Sequence, residues 1–412
     1  MKHVSWLSGL CLILCCATSL AFAQGNLYVG NVHLMPSLGY QAEYSTNIFL
    51  SHTDETEDII HTVSPGIHME YDKGQDRFLR GGYEVDFVRY SEESDNNYEE
   101  HRADLEARYS TPAGWYIGLE DSFVDTEDPY STGNNYQLGT PQVKRWTNTW
   151  RTPLGYRFAE RLESHFVYVN YLKKYDAFRD QWLDRHDHIY EGRVMYRFWP
   201  KTSLFVLYRL QDINYPNQKD ASDNELGIDS GSSQDNLYHQ PFLGLYFSPA
   251  AKIKGEFKVG LGKKDYKNNK NWFGNSYNDD WDLNTEAEID YLFSEKTRFD
   301  LYLLRAQYES VEPESTSFTQ TRIRLGAEQE MSPRYNLRCK AGYILWDFDT
   351  VSNKASRNDD TFSVGAGMFY EPYDWMETGI EYNYEGRFTS NSAYRDHEYV
   401  DNRIKWIITA HY

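Results

Sequence analysis

Charged residues in this chain recur at every second position, and that spacing decides what chemistry they can do. Arg102, Asp104, Glu106 and Arg108 alternate with apolar or small neighbours, as do Glu191 and Arg193, then Lys254, Glu256 and Lys258. The same holds for Asp282, Glu286, Glu288 and Asp290, for Arg322 and Arg324, for Glu377 and Glu381, and for Arg403 and Lys405; Arg305 is read with the same set. A period of two puts side chains on one face of a β-strand. Because both signs occur, and Lys254 and Lys258 precede the acidic run Asp282 to Asp290, adjacent strands can neutralise each other across the ladder. The chemistry implied is a wet, mixed-charge wall that holds itself together and passes hydrated solutes.

Catalysis needs a tighter constellation, and none stands out. The twelve histidines are scattered, and no Ser sits in a G-x-S-x-G elbow; His165, His186, His188 and His397 are read as rim or interior residues. The run from Asp280 places Thr285 and Tyr291 where a calcium loop needs Gly and Glu. Acidic runs at Asp54 to Asp58 and Glu92 to Asp95 are read as solvated loops. Gly260-Leu261-Gly262 and Gly365-Ala366-Gly367 lack the third Gly and the helix of a phosphate cradle. No catalytic residue, metal or cofactor is expected.

The elements that position these charges are strands of about ten residues, the length a tilted strand needs to cross a bilayer. From Trp281 the residues Leu283, Thr285, Ala287, Ile289 and Tyr291 alternate with the acids; Ala103, Leu105, Ala107 and Tyr109 alternate with the charges of the 102–108 segment. Strand ends are predicted at Tyr71, Tyr109, Tyr156, Tyr196, Tyr246, Tyr291, Gln329, Tyr370 and Tyr412, at intervals of 38 to 50 residues. Short Pro- or Gly-bearing turns follow them, such as Thr111 to Gly114 and Ser332 to Arg334, whereas the opposite connections are long and polar. Nine such ends imply a closed, antiparallel, up-and-down transmembrane β-barrel of about eighteen strands, or sixteen at the margin, with its short turns periplasmic. It is an all-β fold.

Tyr recurs at the short-turn ends. Tyr71, Tyr109, Tyr156, Tyr196, Tyr246, Tyr291, Tyr370 and Tyr412 are expected to form an aromatic girdle, because the ring is apolar and the hydroxyl wants water. Ile404, Trp406, Ile408 and Tyr412 share a face of the last segment, which resembles the terminal strand by which bacterial outer-membrane proteins are recognised by barrel-assembly machinery for insertion. The register is weakest at Phe242 to Leu245, where both faces are apolar.

Residues 1–23 read as a cleaved secretory leader: Lys2, an apolar run from Val4 to Leu20, and Ala21-Phe22-Ala23. Residues 24–33 then form a short periplasmic segment and 34–412 the barrel. The remaining Cys339 has no partner for a disulfide. Aromatics reach 16 %, far from the signature of disorder. The formal charge of −20 argues against nucleic acid, which needs a basic face. Outer-membrane lipid and lipopolysaccharide are the expected surroundings.

Pro36-Ser37-Leu38-Gly39-Tyr40, Tyr44-Ser45-Thr46-Asn47-Ile48-Phe49 and, after an acidic loop, Val63-Ser64-Pro65-Gly66-Ile67 resemble the opening of the outer-membrane β-barrel porin family found with exopolysaccharide gene clusters. The resemblance runs from about Met35 to Tyr412. It implies the barrel, the outer membrane, and an association with polysaccharide export or a periplasmic export partner; it brings no catalytic residues. Trp182, Trp272 and Tyr277, on the loops, are candidate platforms for sugar rings. A conduit and a closed surface barrel that is structural, adhesive or a secretion scaffold both remain open at this point.

Overall fold

The computed structural model describes residues 27–74, 77–127, 143–218, 234–248, 252–270, 276–277, 279–310, 315–350 and 356–411. The leader, Trp272 and Tyr412 lie outside them. A three-residue strand, β1 (Leu27–Val29), forms a hairpin with β2 (Val32–Ser45). Then follow β3 (Asp58–Asp72), β4 (Phe78–Tyr90), β5 (Tyr98–Ser110), β6 (Trp115–Thr126), β7 (Arg145–Ala159), β8 (Leu162–Tyr175) and β9 (Arg185–Trp199). Next come β10 (Thr202–Asn214), β11 (Asn236–Phe247), β12 (Ile253–Tyr266), β13 (Asp282–Ser294) and β14 (Thr297–Glu309). The last five are β15 (Ser315–Ser332), β16 (Tyr335–Thr350), β17 (Arg357–Tyr373), β18 (Met376–Thr389) and β19 (Tyr399–His411).

Each of β2 to β19 pairs antiparallel with its neighbours in sequence, and β19 pairs with β2 from Arg403↔Ser45 to His411↔Ser37. The eighteen strands therefore close on themselves, which removes the sheet edges that a lipid environment cannot satisfy. The strand ends predicted from Tyr71 to Tyr370 fall within three residues of the observed ends.

Register explains the alternation. Residues opposite one another in a ladder share a face, and the sequence divides cleanly by this rule. Ile117, Val194, Val206, Leu325, Val364, Ile380 and Ile404 are all exposed and all lie on the outer face. Soluble monomers rarely leave a large apolar surface uncovered, and one of this kind marks a membrane or partner contact.

At the short-turn rim the belt ends in aromatics: Trp115 packs on Tyr156 with centroids 4.3 Å apart, and Tyr335 on Tyr370 at 4.6 Å. Tyr109, Tyr196 and Tyr291 are exposed on the same face, and Tyr71 joins it by register. Tyr246 does not. It lies opposite Ser203 and Glu256 and packs inside the barrel against Met195, Phe205, Leu207 and Phe242. The interior of β11 is apolar because it buries this cluster, so hydropathy could not tell its two faces apart.

Toward the long-loop rim runs a second ring that the sequence reading missed. Tyr40, Tyr83, Tyr168 and Tyr208 each hold a histidine Nδ1, on His61, His101, His188 and His239, at 2.6 to 3.0 Å. Tyr343 and Tyr382 donate in the same way to Asp360 and Asn402, at 2.5 and 2.8 Å. In all six hairpins the partner sits two residues beyond the one facing the tyrosine, toward the loop.

Candidate functional site: the charged interior

The expected charges on β5, β9, β12, β13, β14, β15, β18 and β19 fall on the interior face, with two exceptions. Arg102 bonds Glu84 at 2.5 Å, Asp86 at 2.8 Å and also Glu100. Asp104 faces Gly82 and Glu106 faces Arg80, while Arg108 lies over the Tyr116 ring. Lys258 meets Glu286 at 2.6 Å across the β12–β13 ladder, where Lys254 also faces Asp290, and Glu256 faces Glu288. Arg193 reaches Glu256 at 2.8 Å, and Arg324 covers Tyr302. Arg322 lies opposite Ile344 on the same face. Glu377 and Glu381 accept from Arg338 and Lys340, both at 2.7 Å. Lys405 meets Glu43 at 2.7 Å, with Arg403 beside it.

Arg305 is a correction. It lies opposite Thr285 and Thr321, on the face of the exposed Leu283 and Leu325, and is therefore outside. Asp282, at the end of β13, also turns away from the interior row: its carboxylate meets Arg305 at 3.3 Å and Thr319 at 2.8 Å. The outer face is polar there, with Thr285, Thr319 and Thr321 around Arg305, and alternation alone does not tell a polar outer patch from the interior.

Several interior groups went unread. Arg209 joins Glu191 at 2.5 Å to Glu286 at 2.6 Å, tying β9 to β13 across the interior. Glu43, Glu84, Asp86, Arg338 and Lys340 obey the same period of two, and the alternation in β4 (Arg80, Gly82, Glu84, Asp86 against Leu79, Gly81, Tyr83, Val85) was the signal available.

Among the described residues, two cavities lie against the interior face of the wall. The larger, about 1010 Å³, runs nearly the height of the barrel beside β2–β5, β18 and β19, from Met35, His68 and His411 at the short-turn end to Ile48, Tyr90 and Tyr98 at the other. The smaller, about 460 Å³, is lined by β5 to β10 and β12, including Arg108, Tyr116, His165 and Arg193.

At the long-loop end of the opposite side the interior is filled. Lys264 and Glu309 are 2.6 Å apart and almost wholly buried, with Arg185 3.6 Å and Asn236 2.8 Å from the same carboxylate. Tyr215 from the following loop points its hydroxyl at Glu309, and burial pushes that hydroxyl well above the ordinary phenol range. Burying charge is tolerated only when every partner is supplied, and here a lysine, an arginine, an asparagine and a tyrosine supply them. Nearby, Tyr277 stacks on Tyr266 with centroids 3.8 Å apart, and Trp182 is buried. Neither offers the free ring face expected of a sugar platform, because both are used to pack the loops.

The fold and the interior agree with one family model, described as Putative beta-barrel porin 2, which matches residues 21–411. The chain belongs to this family. It is a porin-like outer-membrane barrel. Among solved structures, the barrel is similar to the outer membrane protein OpdK from Pseudomonas aeruginosa, at 9 % identity and a TM-score of 0.48, covering 92 % of this chain and 98 % of that one. OccAB4 of Acinetobacter baumannii has 9 % identity and a TM-score of 0.46 over 92 % and 98 %. OmpT of Vibrio cholerae has 11 % identity and a TM-score of 0.37 over 94 % and 100 %. No curated protein sequence matches.

Proposed function

We propose that this porin-family barrel is a passive or export conduit for hydrated, saccharide-like solutes, serving exopolysaccharide export. The observation that carries the reading is the cavity of about 1010 Å³ reaching from the Met35 end to the Tyr90 end, whose lining includes carboxylates, cations, hydroxyls and an amide among its apolar residues. Such a wall exchanges hydrogen bonds with a hydrated polyol at little cost, whereas an apolar one would not. The protein reaches the membrane by losing the leader at residues 1–23 and by recognition of its last strand by assembly machinery. A periplasmic export partner would feed it, and no catalysis is asked of it.

Purified full-length protein in planar bilayers tests this directly. Conductance steps, with neutral oligosaccharides transiently lowering them, are expected; insertion without steps overturns the conduit. Deleting the gene is expected to reduce surface polysaccharide, and an unchanged amount overturns the cargo.

One observation favours a second reading, a closed surface barrel: the buried Lys264–Glu309 network fills the long-loop end on one side. That reading predicts insertion, surface exposure and no steps.

A further inference from the structure

We infer that solutes cross along one wall of this barrel and that this wall selects cations over anions. The inference rests on the conduit reading and deepens it by naming the charge of what passes.

The interior is lopsided. On β9 to β11 the inward positions carry Met195, Phe205, Leu207 and Phe242, all buried, with Tyr246 against them. Arg193 and Arg209 lie over the rings of Phe205 and Phe242, 4.2 and 5.5 Å from their centroids, and are pinned there by Glu256 and Glu286. Side chains fill much of that half and leave the smaller cavity beside them. On β2 and β3 the inward positions include Ser37, Gly39, Thr62 and Ser64. Small residues leave the space beside them open, and the long cavity lies there.

The two cavities differ in sign. Five carboxylates line the long one (Glu43, Glu84, Asp86, Glu100 and Glu385) against two cations, Arg403 and Lys405, a surplus of three negative charges with histidine neutral. Counting Arg102, which bonds three of those carboxylates, leaves a surplus of two. The smaller cavity has four carboxylates against five cations. A narrow aqueous path between low-dielectric walls focuses the field of its lining charges. A cation or a neutral sugar is therefore admitted beside Glu84 and Glu385, and a polyanion such as a uronate-rich chain is repelled.

The test is the reversal potential of the full-length protein in planar bilayers under a tenfold KCl gradient. Wild type is expected to favour K⁺, and the preference should shrink between 0.1 M and 1 M salt as the screening length contracts from about 10 to about 3 Å. Replacing Glu84→Gln, Asp86→Asn and Glu385→Gln together should lower the K⁺/Cl⁻ permeability ratio at least about twofold. Glu120→Gln, on the smaller cavity, should leave it unchanged. Glu385→Gln alone guards against misfolding, since its hydrogen bond from the Tyr399 hydroxyl at 2.7 Å suits an amide oxygen equally; it should lower the ratio by a smaller step. A wild-type preference for Cl⁻, no preference, or an equal shift from Glu120→Gln would overturn the inference while leaving the conduit standing. Absence of steps defeats the conduit itself.

Discussion

Lys405 on the last strand and Glu43 on the first barrel strand face each other across the seam, with Nζ 2.7 Å from the carboxylate. They join residues from opposite ends of the chain, and Ser45 and Asp401 repeat the join at 2.9 Å one step further along. Both charges are largely shielded, so the pair contributes more than the few tenths of a kcal/mol of an exposed one.

Reversal of either charge places like charges opposite each other at the closure. Lys405→Glu or Glu43→Lys alone is expected to lower stability by about 1 to 2 kcal/mol, and the double reversal to recover about half or more of that. Urea titration of the folded barrel in lipid vesicles, read by its heat-modifiable gel migration, gives the four values. Additive losses would mean that the seam is held by backbone hydrogen bonds alone.

The seam was legible in the sequence because it obeys the rule that made the barrel legible. Arg403 and Lys405 alternate with Ile404 and Trp406, and the structure keeps that alternation: the apolar pair is exposed outside and the cations lie inside. The rule failed where its physical basis failed. Tyr246 lies on a strand apolar on both faces, and Arg305 in a polar patch of the outer face. The Lys264–Glu309 network was invisible because its partners are 45 residues apart on strands that are not neighbours. Ladder alternation says which face a residue takes and nothing about what it meets across the interior.

That network makes its own demand. Glu309→Gln would leave Lys264 buried without its carboxylate and beside Arg185. Removing one partner of a buried pair costs about 3 to 5 kcal/mol, so the urea midpoint should fall sharply. The double change Lys264→Met with Glu309→Leu removes both charges, and should recover much of the loss. A single variant as stable as wild type would mean that water reaches this site.

Gly255, near the start of β12, has φ +107°, a conformation that side chains rarely adopt. A Cβ placed there would sit 1.9 Å from the carbonyl oxygen of Glu288 on the paired strand. Backbone cannot yield as a flexible side chain does. Gly255→Ala is therefore expected to cost at least about 2 kcal/mol and to reduce the yield of assembled barrel in outer-membrane fractions. Gly192 has open space at its Cβ position, so Gly192→Ala should assemble normally and serves as the matched comparison.

His397 closes the short helical turn before β19 (Ser392–His397). Burial pushes its imidazole down to about 4, with Arg357 and Arg387 opposing its charge and Asp359 and Asp396 favouring it. Free histidine takes its proton near pH 6.5. Between the two values the opened loop binds a proton that the packed loop refuses, so packing is fully stable above about pH 6.5 and weakens as pH falls toward 4. The change is of order 2 to 3 kcal/mol, at about 1.4 kcal/mol per pH unit. Limited proteolysis between Ser390 and Glu398 should accelerate from pH 7 to pH 5 relative to the other loops. His397→Gln carries no titratable group and should flatten that dependence, whereas an unchanged profile would assign the acid sensitivity to another group.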